Sequence, residues 1–224
     1  MSGLAFLTPR AASDAVRARS PMERLMRAGG ARFERRGGWS VAVAFDDPER
    51  ERERAVGTVA FADRSHLTKL EIHATPRALS TLELTPGLAA RRDGAWWCPV
   101  TSSRLLVLGE PASGLPDELT APETTLVDLT CGLAALSLIG PGANELLARF
   151  CAIDVRPTIT PVGGFRPGSV ARTPGYVLRE AEQQLLVLVG WALGEYLYEV
   201  VSDAAGRLGG GPVGADALEE LQRA

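Results

Sequence analysis

Apolar positions along this chain come in short runs, mostly with the two-residue period of half-buried strands, divided by clusters of Gly, Pro, Asp and Ser. Trp39 to Phe45 alternates Val41, Val43 and Phe45 with small residues. Val56 to Phe61, Thr68 to His73, Tyr176 to Arg179 and Leu185 to Gly190 also read as strands. Helical spacing is rarer. Ser20-Pro21 ahead of Met22, Leu25 and Met26 predicts a short capped helix that Gly29-Gly30 ends. Thr75-Pro76 opens a second helix and Asn144 to Phe150 reads as a third. Leu197, Val200, Val201 and Ala204 mark one face of a helix over 194–208. The interleaved acids and arginines of Asp46 to Arg54 read as a solvated turn leading into a helix.

The pattern repeats itself. Ala62 to Leu70 is echoed by Val127 to Ala135 without a gap, at an offset of 65 (Asp63 to Asp128), and the same offset aligns Pro76 with Pro141 and Leu82 with Leu147. Arg104 to Gly109 returns as Gln184 to Val189 at an offset of 80 (Leu105 to Leu185). Two echoes in the same order predict a duplication, and each half is too small to bury a robust core alone, so the halves must pack together. The expected fold class is α+β, a duplicated two-lobe arrangement of antiparallel sheets with helices on the outside. The expected boundaries are a loosely ordered segment over 1–19, a first lobe over 20–110, a linker over 111–123 and a second lobe over 124–224.

Composition narrows the function. With 224 residues, 46% hydrophobic and 23% charged, the chain can build a real core as one large or two small domains. A net charge of −3 offers no general attraction to nucleic acid. No run approaches the ~20 apolar residues that span a bilayer, and no secretory leader is evident, so a cytoplasmic protein without a membrane partner is expected. Cys98, Cys131 and Cys151 are irregularly spaced, which reads as free thiols in a reducing compartment and as no metal site. Lys69 is the only lysine.

Several segments carry chemistry worth weighing. In Asp63-Arg64-Ser65-His66 the carboxylate and hydroxyl can bind a polar ligand, and His66 can move a proton near neutral pH. Alternatively, Asp63 and Asp128, with Ser65 and Thr130, hold two equivalent strand corners, a reading that accounts for both copies. The Gly163-Gly164-Phe165-Arg166-Pro167-Gly168 and Gly209-Gly210-Gly211 segments lack the spacing of phosphate-binding loops and read as turns. Trp97, beside Trp96, has a face that can stack on a planar ligand or serve in packing. Arg172, Tyr176 and Glu180 form the strongest candidate binding set, with a carboxylate partner, a ring and an acceptor for an amide and amine edge. No catalytic triad or carboxylate pair can be singled out.

Ser20-Pro21-Met22, Gly38-Trp39 and Asp63 to Lys69 resemble, in order, the start of the T-protein of the glycine cleavage system, a tetrahydrofolate-dependent aminomethyltransferase. Val127 to Thr130, Leu136 to Pro141, Ile153-Asp154-Val155 and Glu195-Tyr196-Leu197 look still more like the gamma subunit of heterotetrameric sarcosine oxidase, as does Trp97-Cys98-Pro99. The resemblance implies the folate-binding fold of that family, with Arg172, Tyr176, Glu180 and Trp97 about a pterin site and tetrahydrofolate, not a covalently bound cofactor, as the ligand. It also implies flavoprotein amine oxidase or dehydrogenase subunits as partners. No residue matches the T-protein's catalytic aspartate, and nothing matches its C-terminal barrel. The expected function is therefore a non-catalytic subunit of an amine-oxidising complex, with a stand-alone tetrahydrofolate-dependent aminomethyltransferase of altered catalytic groups as the alternative.

Overall fold

In the computed structural model, which describes Leu4, Leu7 and residues 18–223, the chain begins with β1 (Ala18–Arg19), α1 (Glu23–Ala28), β2 (Arg32–Arg36), β3 (Trp39–Ala44) and α2 (Pro48–Gly57). There follow β4 (Ala60–Asp63), β5 (Lys69–His73), α3 (Pro76–Ser80), β6 (Ala90–Arg92), β7 (Ala95–Thr101) and β8 (Arg104–Leu108). The second copy comprises β9 (Thr125–Asp128), β10 (Leu133–Ile139), α4 (Ala143–Ala148), β11 (Phe165–Val170), β12 (Thr173–Ala181) and β13 (Gln184–Gly190). The described chain closes with α5 (Gly194–Gly206), β14 (Gly211–Pro212) and α6 (Ala215–Arg223).

The Thr75 cap stands where the sequence places it, whereas α1 starts only at Glu23 without a side-chain cap, Ser20 Oγ accepting from the Met22 amide one turn earlier. The Thr75 hydroxyl accepts from the Ala78 amide, with Pro76 at the first helical position, and the Asp47 carboxylate does the same for α2 by accepting from Glu49. Val56 corrects the sequence reading: the helix begun at Asp47 runs through it to Gly57, and the strand starts only at Ala60. The charged run also departs from a fully solvated face. Glu51 is buried and accepts from the Phe45, Asp46 and Gly214 amides, so its carboxylate ties the start of α2 to the approach of α6.

The architecture is α+β. A six-stranded sheet runs β11-β12-β13-β10-β4-β14, a five-stranded sheet runs β6-β7-β8-β5-β9, and a small third sheet orders β1-β3-β2. The two large sheets face each other across Cys98, Leu106 and Leu108 on one side and Ala135, Leu178, Leu186 and Leu188 on the other. Helices α1, α4 and α5 cover the outer face of the six-stranded sheet through Met22, Met26, Leu146, Leu147, Leu197 and Val201. On the outer face of the five-stranded sheet, Leu4 and Leu7 are buried with Leu70, Trp97 and Leu119. The rest of the segment expected to be loosely ordered lies outside the described residues, apart from Ala18 and Arg19.

An internal two-fold relates the large sheets, strand for strand. Leu70 pairs with Val107 and Leu136 with Val187; Trp97 pairs with Val107 and Val177 with Val187. Even the bulges match, between Pro99 and Thr101 and between Arg179 and Ala181. The first strand of each copy is exchanged, since β4 pairs with β10 and β9 with β5. Because Leu70 faces Asp128 where Leu136 faces Asp63, the second strands are offset by 66 (70 to 136) and the first by 65 (63 to 128). The echo is therefore not gapless: one extra residue sits in the second corner. It is absorbed there, outside the ladder, where it does not turn the strand's apolar side chains to the wrong face.

Candidate functional site

The corners following β4 and β9 are built alike. Asp63 accepts from the Ser65 amide at 3.0 Å and Asp128 from the Thr130 amide at 2.8 Å, each closing an Asx turn. The hydroxyls then cross between copies: Ser65 Oγ accepts from the Ala135 amide and Thr130 Oγ1 from the Lys69 amide, both at 3.2 Å. Lys69 breaks the symmetry. It is fully buried, and its ammonium donates to the carbonyls of Ser65, Leu67 and Thr130 at 2.8, 2.8 and 3.1 Å, so one cation gathers both corners. Burial pulls its pKa down to about 7 against the opposing charge of Asp63. Burial likewise pushes the Asp63 carboxyl up, opposed by hydrogen bonds from Ser65 and Ser20 and by Lys69.

This geometry is that of a structural clasp. The Asp63 and Ser65 oxygens that a ligand would need are taken up by backbone amides and, for Asp63, by the Ser65 and Ser20 side chains. His66, first through burial and then through the charges of Arg64, Lys69 and Arg36, is held down to about 4, which removes it from proton transfer near neutral pH. Lys69 is the residue that motif reading missed; its solitary status in the sequence was the one signal it left.

Between the sheets lies a second polar group. Arg64 donates to Glu180 and, at 3.2 Å, to Ser137 Oγ, while Gln184 donates to the same Glu180 carboxylate at 2.8 Å. The Cys98 thiol nearby is fully buried, and that burial, with the charge of Glu180, pushes its pKa well up, so it is no nucleophile at neutral pH. Tyr176 stacks on Phe165 with ring centroids 5.3 Å apart and 11° between planes, and its hydroxyl lies against Arg104. Arg104 in turn bonds Glu71, which also holds His73 at 2.6 Å. Although burial pushes the Glu71 carboxyl up, the hydrogen bonds from Arg104 and His73 bring it below its ordinary value.

The four predicted binding residues do not converge. Tyr176 and Glu180 face the space between the sheets. Trp97 lies on the opposite face of its sheet, packed with Leu70, Ile72 and Val107, and its indole N–H points to the Arg92 carbonyl at 3.4 Å. Strand alternation explains this, because Trp96, Cys98 and Val100 are the residues of β7 that pack inward. Arg172 stands exposed in the turn between β11 and β12 at φ 63°. Among the described residues no three His, Cys, Asp or Glu side chains gather to hold a metal ion, and no helix is long and apolar enough to cross a membrane.

Among the concavities of the described residues, a cleft of about 390 Å³ among α3, the loop over 84–87 and the β7–β8 turn is lined mostly by apolar side chains, with Arg104 among them.

No protein-family model matches the sequence, and no curated protein matches it. Solved structures do match the fold. A chain of the heterotetrameric sarcosine oxidase of Corynebacterium sp. U-96, solved with pyrrole 2-carboxylate, is similar with a TM-score of 0.61 at 20% identity, covering 85% of this chain and 96% of that one. The glycine cleavage system aminomethyltransferase T of Bartonella henselae is similar with a TM-score of 0.73 at 16% identity, covering 92% of this chain. This chain spans 62% of that enzyme's length. The chain thus has the aminomethyltransferase-like fold expected from its sequence.

Proposed function

We propose that this chain is a non-catalytic subunit of an amine-oxidising flavoprotein complex, of the kind represented by the gamma subunit of heterotetrameric sarcosine oxidase. The observation that carries this reading is the filled interior. Where the sheets face each other, apolar side chains and an inert thiol fill the space, and the Glu180 carboxylate is already bonded by Arg64 and Gln184. A pterin edge would have to displace both partners, and Trp97 would be on the wrong side of the sheet to stack on it. We therefore assign no folate chemistry to these residues.

The alternative is a stand-alone tetrahydrofolate-dependent aminomethyltransferase with altered groups, favoured by the higher TM-score of 0.73 and by Tyr176 and Glu180 sharing the inner face. Calorimetric titration of the isolated chain with tetrahydrofolate separates the two. The subunit reading expects no saturable heat, and stoichiometric binding that Glu180→Gln abolishes would establish the alternative.

A further inference from the structure

The internal two-fold relates one position in each lobe that the lobes use differently. Before the β12 bulge stands Arg179, buried, its guanidinium donating to the carbonyls of Val155, Thr160 and Glu182 and to Asn144 Oδ1. It fills the space between α4, the loop that follows and the β12–β13 turn. The register puts Pro99 at the same place before the β7 bulge. A pyrrolidine ring does not reach across, and the loop between α3 and β6 is shorter than that between α4 and β11. The 390 Å³ cleft is the space left open, walled by Leu79, Leu84, Pro86, Val100, Phe165 and Pro167.

Its surroundings are those of a contact surface. Leu88, Ile159 and Val162 stand 38%, 48% and 49% exposed beside it, half of the large apolar side chains exposed among the described residues. Leu88 bridges to Gly164, and Arg166 joins the two loops by donating to the carbonyls of Gly87 and, at 2.7 Å, Ile159. Arg104 in the lining is paired with Glu71, whereas Arg166, which touches the cleft through Gly87, meets backbone carbonyls and has no carboxylate partner among the described residues. An apolar socket edged by such a guanidinium is complementary to an acidic partner.

We propose that this cleft is a docking socket for a partner polypeptide segment that carries a bulky apolar side chain beside a carboxylate. The apolar side chain takes the space that Arg179 fills in the other lobe, and the carboxylate compensates Arg166. The socket deepens the subunit reading and rests on it for the partner's identity.

Amide resonances of the isotope-labelled full chain, followed during titration with two synthetic pentapeptides, test the socket. One peptide sets phenylalanine and leucine between glutamates, the other between lysines. The glutamate peptide should shift Gly87, Leu88, Val100, Ser102 and Gly163 with half-saturation at or below about 1 mM, and the lysine peptide should bind about tenfold more weakly. Leu88→Glu should weaken the glutamate peptide about tenfold, and Pro99→Arg, which copies Arg179, should close the cleft to it. Unmoved resonances, equal response to both peptides, or shifts clustered elsewhere would overturn the socket. In the purified assembly, retention of the partner undiminished by Leu88→Glu overturns the socket while leaving the subunit reading intact. Peptide binding by a chain that never assembles supports the socket and removes the subunit reading.

Discussion

Lys69 shows what a single residue contributes when its partners are backbone. Three carbonyls from two corners converge on one ammonium, so Lys69→Met leaves them buried without a donor. Loss of about 3 kcal/mol or more is expected in denaturant unfolding, given ~1–3 kcal/mol for each unsatisfied buried group. The sequence marked this lysine as singular, but carbonyl acceptors carry no side-chain signature, so its role was not legible there. His66 provides the pH dependence. Its pKa falls from 6.5 to about 4 on folding, so between those values the unfolded state binds more protons and stability declines as pH falls through that window. Comparing unfolding of the native chain and His66→Asn between pH 4 and 6.5 should show a shallower decline in the variant; identical slopes would disprove the assignment.

At the scale of elements, paired turns and buried charges hold the strands in register. Asp63→Ala and Asp128→Ala each remove an Asx turn, about 1 kcal/mol by analogy with helix-capping side chains, and Asp63→Ala should cost more because it also removes the partner of Ser20 and the charge facing buried Lys69. Equal losses at the two sites would contradict this asymmetry. Glu51→Gln should cost about 1.5–3 kcal/mol in thermal or denaturant unfolding, because a buried carboxylate that accepts from three amides, one of them buried, becomes neutral. Strand periods and the Thr75-Pro76 cap made many elements readable. Glu51 was not, because an acid within Pro48 to Arg54 looks like its exposed neighbours until the fold places Gly214 against it. The one-residue slip between the copies was hidden for a related reason: a corner residue outside the ladder leaves the alternation on either side unchanged.

For the whole molecule, duplication was legible but the exchange of first strands was not, since pairing partners lie outside any local pattern. That exchange has a mechanical consequence. Each large sheet contains a strand from the other copy, so the halves cannot complete their sheets separately, and the full chain should unfold in one cooperative transition. The same scale explains the candidate site. Residues close in sequence, such as Trp96 and Trp97, are sent to opposite faces, so a binding set chosen by residue type alone was scattered by the pleat. The central claim, that this is a subunit and not a self-sufficient enzyme, is tested most directly by purifying the tagged chain from its native host and recording its mass and flavin absorbance. The account predicts a larger assembly carrying flavin and oxidising a methylated amine. A flavin-free monomer that by itself transfers a one-carbon unit to tetrahydrofolate would contradict it.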